Sequence, residues 1–287
     1  MATASDTAVL TLSCPDQPGL VAAVAQFIHR HGGNITHADQ HADPEEGIFL
    51  QRVEWEMNGF TLPQAEIAHA FRPIVERHGM TWQLHLPGAR PRIALFVSKQ
   101  AHCLYDLLAR HSAGEIPAEI PLVISNHPNL EPVAKHFGLD FVHLPVTSET
   151  KLQQEQAAEA KLQEYRIDLT VLARYMQILS PEFVAPRLCR IINIHHSFLP
   201  AFVGARPYHQ AHDRGVKIIG ATAHYLTADL DQGPIIDQDV VRISHRDSVA
   251  DLIRKGRDLE KVVLARAVDL HLRNRVISYG GKTVVFV

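Results

Sequence analysis

IINIHHSFLPAFVGARPYHQAHDRGVKIIGATAHYLTADLDQGP, residues 191–234, decides how the rest of the chain is read. Its β-branched start, Ile191-Ile192, predicts a strand that delivers Asn193 and His195 where an extended segment must stop. Pro200, Gly204 and Pro207 keep a strand or long helix from re-forming until about Tyr208. A second apolar strand, Ile218 to Tyr225, runs into an acidic turn ending at Asp231, Gly233 and Pro234. One carboxamide, several imidazoles and one carboxylate thus sit on loops at strand ends, where an α/β sheet keeps its chemistry.

Downstream, 235–242 predicts a strand antiparallel to 218–225. Ser248 to Leu272 predicts a long amphipathic helix with Ile253, Leu259, Val262, Val263 and Ala267 as its buried stripe. Upstream, strands are expected at Ile93–Val97, Leu122–Ser125, Phe141–Leu144, Leu169–Ala173 and Arg190–Ile194. Helical patterns at Leu104–His111, Leu130–Phe137 and Lys151–Tyr165 lie among them, so this part predicts βαβ units in a Rossmann-like, mostly parallel sheet. PGARPR, residues 87–92, is a linker by composition. Residues 1–86 read βαββαβ, a small ferredoxin-like α/β domain: strands near Ala8–Ser13, Asn34–His41, Ile48–Met57 and Met80–Leu86, helices near Leu20–Ile28 and Leu62–His78. Pro18 can open the first helix and His31-Gly32-Gly33 can stop it.

With 287 residues the chain can build two cores, and 46% apolar with 21% charged residues is the make-up of an ordinary soluble globular protein. A net charge of −3 argues against a general nucleic-acid binder. No apolar run approaches membrane-spanning length, and MATASDTAVLTLSC lacks the basic-then-apolar order of a secretion signal; a cytoplasmic location is expected. Cys14, Cys103 and Cys189 lie too far apart for a disulfide framework or a thiolate metal site.

Each polar candidate has an ordinary structural explanation. Asn193 can close an Asx-turn or cap a helix, His195 can be a hydrogen-bonded structural imidazole, and Asp231 can start a turn. On spacing alone the set gives an α/β enzyme with a polar strand-end cluster: Asn193 an uncharged donor, His195 an imidazole able to exchange protons near neutrality, and Asp231 a carboxylate. His195, His196, His209, His212 and His224 raise a zinc reading, but no H-E-x-x-H occurs, so no metal is expected. No G-x-G-x-x-G follows the strand at Ile93, so no nicotinamide site is expected either.

The motifs NIHHSFLPAF and HYLTADLDQGP resemble the formyltransferase family that uses 10-formyltetrahydrofolate, and LARYMQILSPEF matches its folate-side segment. DQPGL and GGNI resemble the ACT regulatory domain across the first 86 residues. The turn Ser98–Cys103 lacks the glycine-rich phosphate loop of glycinamide ribonucleotide formyltransferases, which implies that water replaces the amine acceptor. With VSKQAHCL and PVTSETK the chain is similar to the formyltetrahydrofolate deformylase family over both domains. The resemblance implies catalytic Asn193, His195 and Asp231, and a folate pocket with Met176, Gln177, Leu179, His196, His224, Ala228 and Asp229. It also implies an amino-acid effector at Asp16, Gly19, Leu20 and Asn34, a homo-oligomer (dimer or tetramer), and a role in supplying formate for purine synthesis and balancing one-carbon folate pools. A formyltransferase with an unidentified amine acceptor, and a folate- or amino-acid-sensing protein without turnover, stay open beside it. The implied division is 1–86 regulatory and oligomerising, 87–92 linker, 93–287 catalytic.

Overall fold

The structure, a computed structural model, describes residues 6–201 and 207–287, and its chain divides into two compact units. Gly204, expected to interrupt structure after Pro200, lies outside the described residues.

The first unit comprises residues 1–89 together with Asn274–Ile277 and Val284–Val287. Its elements run β1 (Thr7–Pro15), α1 (Leu20–Arg30), β2 (Asn34–Asp43), β3 (Ile48–Glu56), α2 (Gln64–His78) and β4 (Thr81–His85), the βαββαβ order of the sequence reading. The sheet order is β2-β3-β1-β4, and β1 pairs antiparallel with both β3 and β4. Leu20, Val24, Phe27 and Ile28 of α1 recur at helical spacing, and all four are buried with Leu10, Leu12, Val53 and Trp55 of the sheet. Pro18 does not open α1, nor does Asp16 cap it. Gly19 takes the N-cap position in a left-handed conformation, and no side chain caps the helix. Arg52 of β3 is only 2% exposed, and its Nε donates to the Asn274 carbonyl at 2.7 Å.

The second unit covers Arg90–Arg273 and Ser278–Thr283. It begins β5 (Arg92–Val97), α3 (His102–Ser112), β6 (Glu119–Ser125), α4 (Glu131–His136) and β7 (Asp140–His143). α5 (Lys151–Glu164), β8 (Leu169–Leu172), α6 (Pro181–Val184), β9 (Ile191–His195) and α7 (Pro207–Asp213) follow. β10 (Ile218–Tyr225), β11 (Ile235–Arg242) and α8 (Val249–Leu272) complete the main layers, and β12 (Val276–Tyr279) pairs with β13 (Lys282–Val285). The seven-stranded sheet runs β11-β10-β9-β8-β5-β6-β7, parallel from β9 to β7 and antiparallel where β10 meets β9 and β11. Ile93 to Val97 are all buried, as expected of a central strand covered on both faces. The chain moves outward from β5 through β6 and β7, then returns to place β8 on the other side of β5. This reversal opens the crevice at the carboxyl ends of β5 and β8.

α8 opens on a capping box, Ser248 with Asp251. Its buried stripe differs from the expected one. Val262 is 39% exposed, while Leu252, Gly256, Glu260, Val263 and Ala267 face inward. That face includes a glycine and a carboxylate, which an apolar pattern passes over.

Candidate active site

β9 carries Asn193 and His195 two residues apart, so both project from one face of the sheet. β10 runs antiparallel beside it with His224 opposite Asn193 and Thr222 opposite His195. The β10–β11 ladder shifts register between Ala223 and His224, an irregularity that re-aims side chains at a sheet end. Asp231 comes from the loop joining these two strands and closes the group.

His224 is fully buried, and its Nδ1 donates to the Tyr225 carbonyl at 2.9 Å. Burial pushes its pKa below the ordinary imidazole value, so the ring is neutral and Nε2 bears a lone pair. That lone pair accepts from Asn193 Nδ2 at 3.2 Å. The carboxamide is therefore oriented: its oxygen facing His224 would set two acceptors against each other. One Nδ2 hydrogen is used on His224, and the other is available to a ligand.

His195 Nδ1 lies 3.2 Å from Asp231 Oδ1, with His224 Nε2 at 3.8 Å from the same oxygen. The hydrogen bond from His195 holds the Asp231 carboxyl below its usual range against the opposing effect of burial. Asp231 is thus an acceptor, Nδ1 of His195 carries the proton, and Nε2 is the free base position. Nε2 is buried and, among the described residues, has no protein partner. An orphaned acceptor at a strand-end crevice is a place for substrate or water.

The surrounding loops are fixed by a few contacts. Thr222 Oγ1 donates to the Ser197 carbonyl at 2.9 Å and accepts from Leu199 N and Gln238 Nε2 at 3.0 and 2.9 Å. A Cβ at Gly233 would lie 1.7 Å from the Tyr225 carbonyl, so the Asp231 loop reaches β10 only with glycine there. Asp231 itself has φ 55°, a left-handed conformation that aspartate tolerates better than most residues.

Met176 is 55% exposed and its backbone N donates to Ser98 Oγ at 2.9 Å; Ser98 in turn donates to Asn126 Oδ1 at 2.7 Å. These bonds join the ends of β5, β6 and β8. Gln177 is half-buried, whereas Leu179 is packed in the hydrophobic core with Phe183. Ala228 and Asp229 are exposed on the Asp231 loop, beside an exposed Leu230. His196 lies against His195 with ring centroids 5.1 Å apart and the rings tilted by 36°. In the first unit, Asp16, Gly19 and Asn34 are at the surface and Leu20 is in the core.

Sequence reasoning missed a buried hub on α8. Glu260 accepts from the Tyr208 hydroxyl at 2.7 Å, meets His102 Nε2 at 2.7 Å and lies 3.3 Å from Arg174 Nε. A Cβ at Gly256 would fall 2.0 Å from the Tyr208 hydroxyl, so that glycine makes the room for it. The signal was a glycine and a glutamate four apart on the inward face of an otherwise apolar helix. His102, Cys103 and Glu260 bring donor atoms within 4.8 Å of one another, but Arg174 supplies the positive charge there and burial keeps Cys103 protonated. Those groups satisfy each other rather than a cation. No helix among the described residues is long and apolar enough to cross a membrane.

By its sheet and by the family model that matches it, the chain is of the formyl transferase class. The model of the formyl transferase family matches residues 91–268, and that of the ACT domain matches residues 8–60. The chain is 61% identical over 280 residues to a formyltetrahydrofolate deformylase of Synechocystis sp., covering 98% of each chain. It is 46% identical to that of Bacillus subtilis over 98% of this chain and 94% of the relative. The crystal structure of a formyltetrahydrofolate deformylase from Pseudomonas syringae pv. tomato superposes with a TM-score of 0.96 at 44% identity, over 98% of this chain and 94% of that one. The chain belongs to the formyltetrahydrofolate deformylase family.

Proposed function

We propose that the protein hydrolyses 10-formyltetrahydrofolate to formate and tetrahydrofolate, with His195 and Asp231 acting as a base and its orienting carboxylate. The observation that carries the mechanism is the buried, unpartnered Nε2 of His195 opposite an Nδ1 committed to Asp231. In this reading a water sits at Nε2, gives it a proton and attacks the formyl carbon. The carbonyl oxygen becomes an oxyanion, to which the remaining Nδ2 hydrogen of Asn193 donates; one such donor contributes roughly 3–4 kcal/mol in the transition state. The imidazolium, held by ionised Asp231, then returns its proton to N10 as the C–N bond breaks. Formate leaves with its own acid proton lost to solvent.

Met176, Gln177, Ala228 and Asp229 are assigned to the folate pocket on the strength of their place at the β8 end and on the Asp231 loop. Leu179, a core residue, supports that segment from behind, and His224 acts through the orientation of Asn193. Residues 1–86 are assigned to regulation and assembly into a homo-oligomer, 87–92 to the linker and 93–287 to catalysis. Surface residues Asp16, Gly19 and Asn34 with Leu20 behind them are assigned to an amino-acid effector, and the enzyme is placed in the cytoplasm.

Turnover of 10-formyltetrahydrofolate, with no amine acceptor, no nicotinamide and a chelator present, is expected to release tetrahydrofolate and formate in equal amounts. Release only on addition of an amine would make the protein a transferase; binding with no release would make it a sensor.

A further inference from the structure

A cavity of about 170 Å³ lies on the far side of His196, lined by Gln100, Arg174, His196, His209, Arg257 and Glu260 among others. We propose that it is a subsite for a small carboxylate, the formate formed in the reaction, held between Arg174 and Arg257 before it leaves. This inference rests on the hydrolase reading above.

Charge is the first argument. Two guanidiniums and one carboxylate line the cavity, and the carboxylate is already engaged: Glu260 takes the Tyr208 hydroxyl on Oε1 and His102 on Oε2. No carboxylate among the described residues forms an ion pair with Arg257. Arg174 is only 7% exposed and has its counter-charge in Glu260, 3.3 Å away, yet among the described residues its buried Nε–H makes no hydrogen bond. A buried N–H without a hydrogen bond is costly even beside a counter-charge, and an anion's oxygen in the cavity would complete it. Planar guanidiniums suit the two oxygens of a carboxylate.

Position is the second. His196 follows His195 directly and its ring lies 5.1 Å from the catalytic ring, so it forms a wall shared by the cavity and the reacting group. Burial first, then the charges of Arg174 and His195, push the His196 pKa down to about 4. A neutral His196 lines the path with a polar group but no further charge, which leaves the product free to depart. Size agrees as well. Three heavy atoms need roughly twice the ~30 Å³ share of one water, so formate and a few waters fill the space.

The experiment measures binding of [13C]formate to the full-length protein by line broadening, without substrate, in competition with nitrate and with inorganic phosphate. Formate is expected to saturate, nitrate to displace it, and Arg257→Ala to weaken both at least tenfold. Arg257→Lys, which keeps the charge but not the paired planar donors, is expected to fall between Arg257→Ala and the unmodified protein, and tetrahydrofolate affinity to stay within twofold in both variants. Absent saturation, equal affinity in Arg257→Ala, or phosphate bound more tightly than formate would overturn the proposal. Formate that binds as expected to a protein releasing none from 10-formyltetrahydrofolate would instead overturn the hydrolase reading and leave a carboxylate site.

Discussion

Asp231 is at once ionised, nearly buried and left-handed in its backbone. Each condition serves the next: the left-handed turn aims the carboxylate at His195, and the hydrogen bond from His195 keeps it ionised against burial. Asp231→Asn keeps the shape but offers Nδ1 an amide that can donate. His195 then holds its proton on Nε2, where a base is needed. The turnover number is expected to fall by about 10³–10⁴-fold, with tetrahydrofolate binding within threefold of the unmodified protein. Single-turnover kinetics beside a binding titration checks it, and an unchanged rate removes Asp231 from the mechanism. That Asn193, His195 and Asp231 come together was legible in the sequence, because the three fall on breaks between strands and within longer family motifs. The part of His224 was not, since its neutrality and the carboxamide orientation it sets depend on burial and on a partner 31 residues away.

Strand and helix order were legible because alternation and helical spacing record which face of each element is buried. β10 and β11 gave themselves away as a hairpin by the short Asp231 loop between them. α8 was found, but its inward face was misread, and with it the hub that ties α8 to α3, α7 and the end of β8. Glu260 explains why that hub tolerates burial. Burial alone would raise its pKa, but the His102 hydrogen bond, the Arg174 charge and the Tyr208 hydroxyl outweigh it and hold the carboxyl below its ordinary value. A carboxyl depressed in the folded state binds fewer protons there than in the unfolded chain. Its stabilisation is therefore complete above the unfolded value, about 4.3, and is lost as pH falls through the folded one. Glu260→Gln is expected to cost about 3–5 kcal/mol at neutral pH by leaving Arg174 and His102 without their anion. It should also flatten the loss of stability on acidification. Urea unfolding of both proteins at pH 7 and pH 4 tests this: parallel pH profiles would show that Glu260 is not the titrating group.

At the scale of the molecule, an ACT unit in the same chain as a hydrolase invites control by a small metabolite. An amino acid that changes the hydrolysis rate of the full-length protein is expected to lose its effect in Asp16→Ala and in Asn34→Ala, both surface positions, with the effector-free rate kept. Rates measured across the twenty amino acids provide the check; a response that survives both substitutions moves the effector site elsewhere. The division of the chain was only partly legible, since Asn274–Ile277 and Val284–Val287 group with the N-terminal unit. No sequence window spans the separation of 222 positions from Arg52 to Asn274. That one bond changes where the gene can be cut. A fragment stopped at the proline-rich linker loses the carbonyl on which a 2%-exposed arginine rests, and with it the tail segments Asn274–Ile277 and Val284–Val287 of its own unit. The N-terminal unit is thus discontinuous in the gene, and its isolation calls for a splice of the tail onto residue 89 rather than a stop codon.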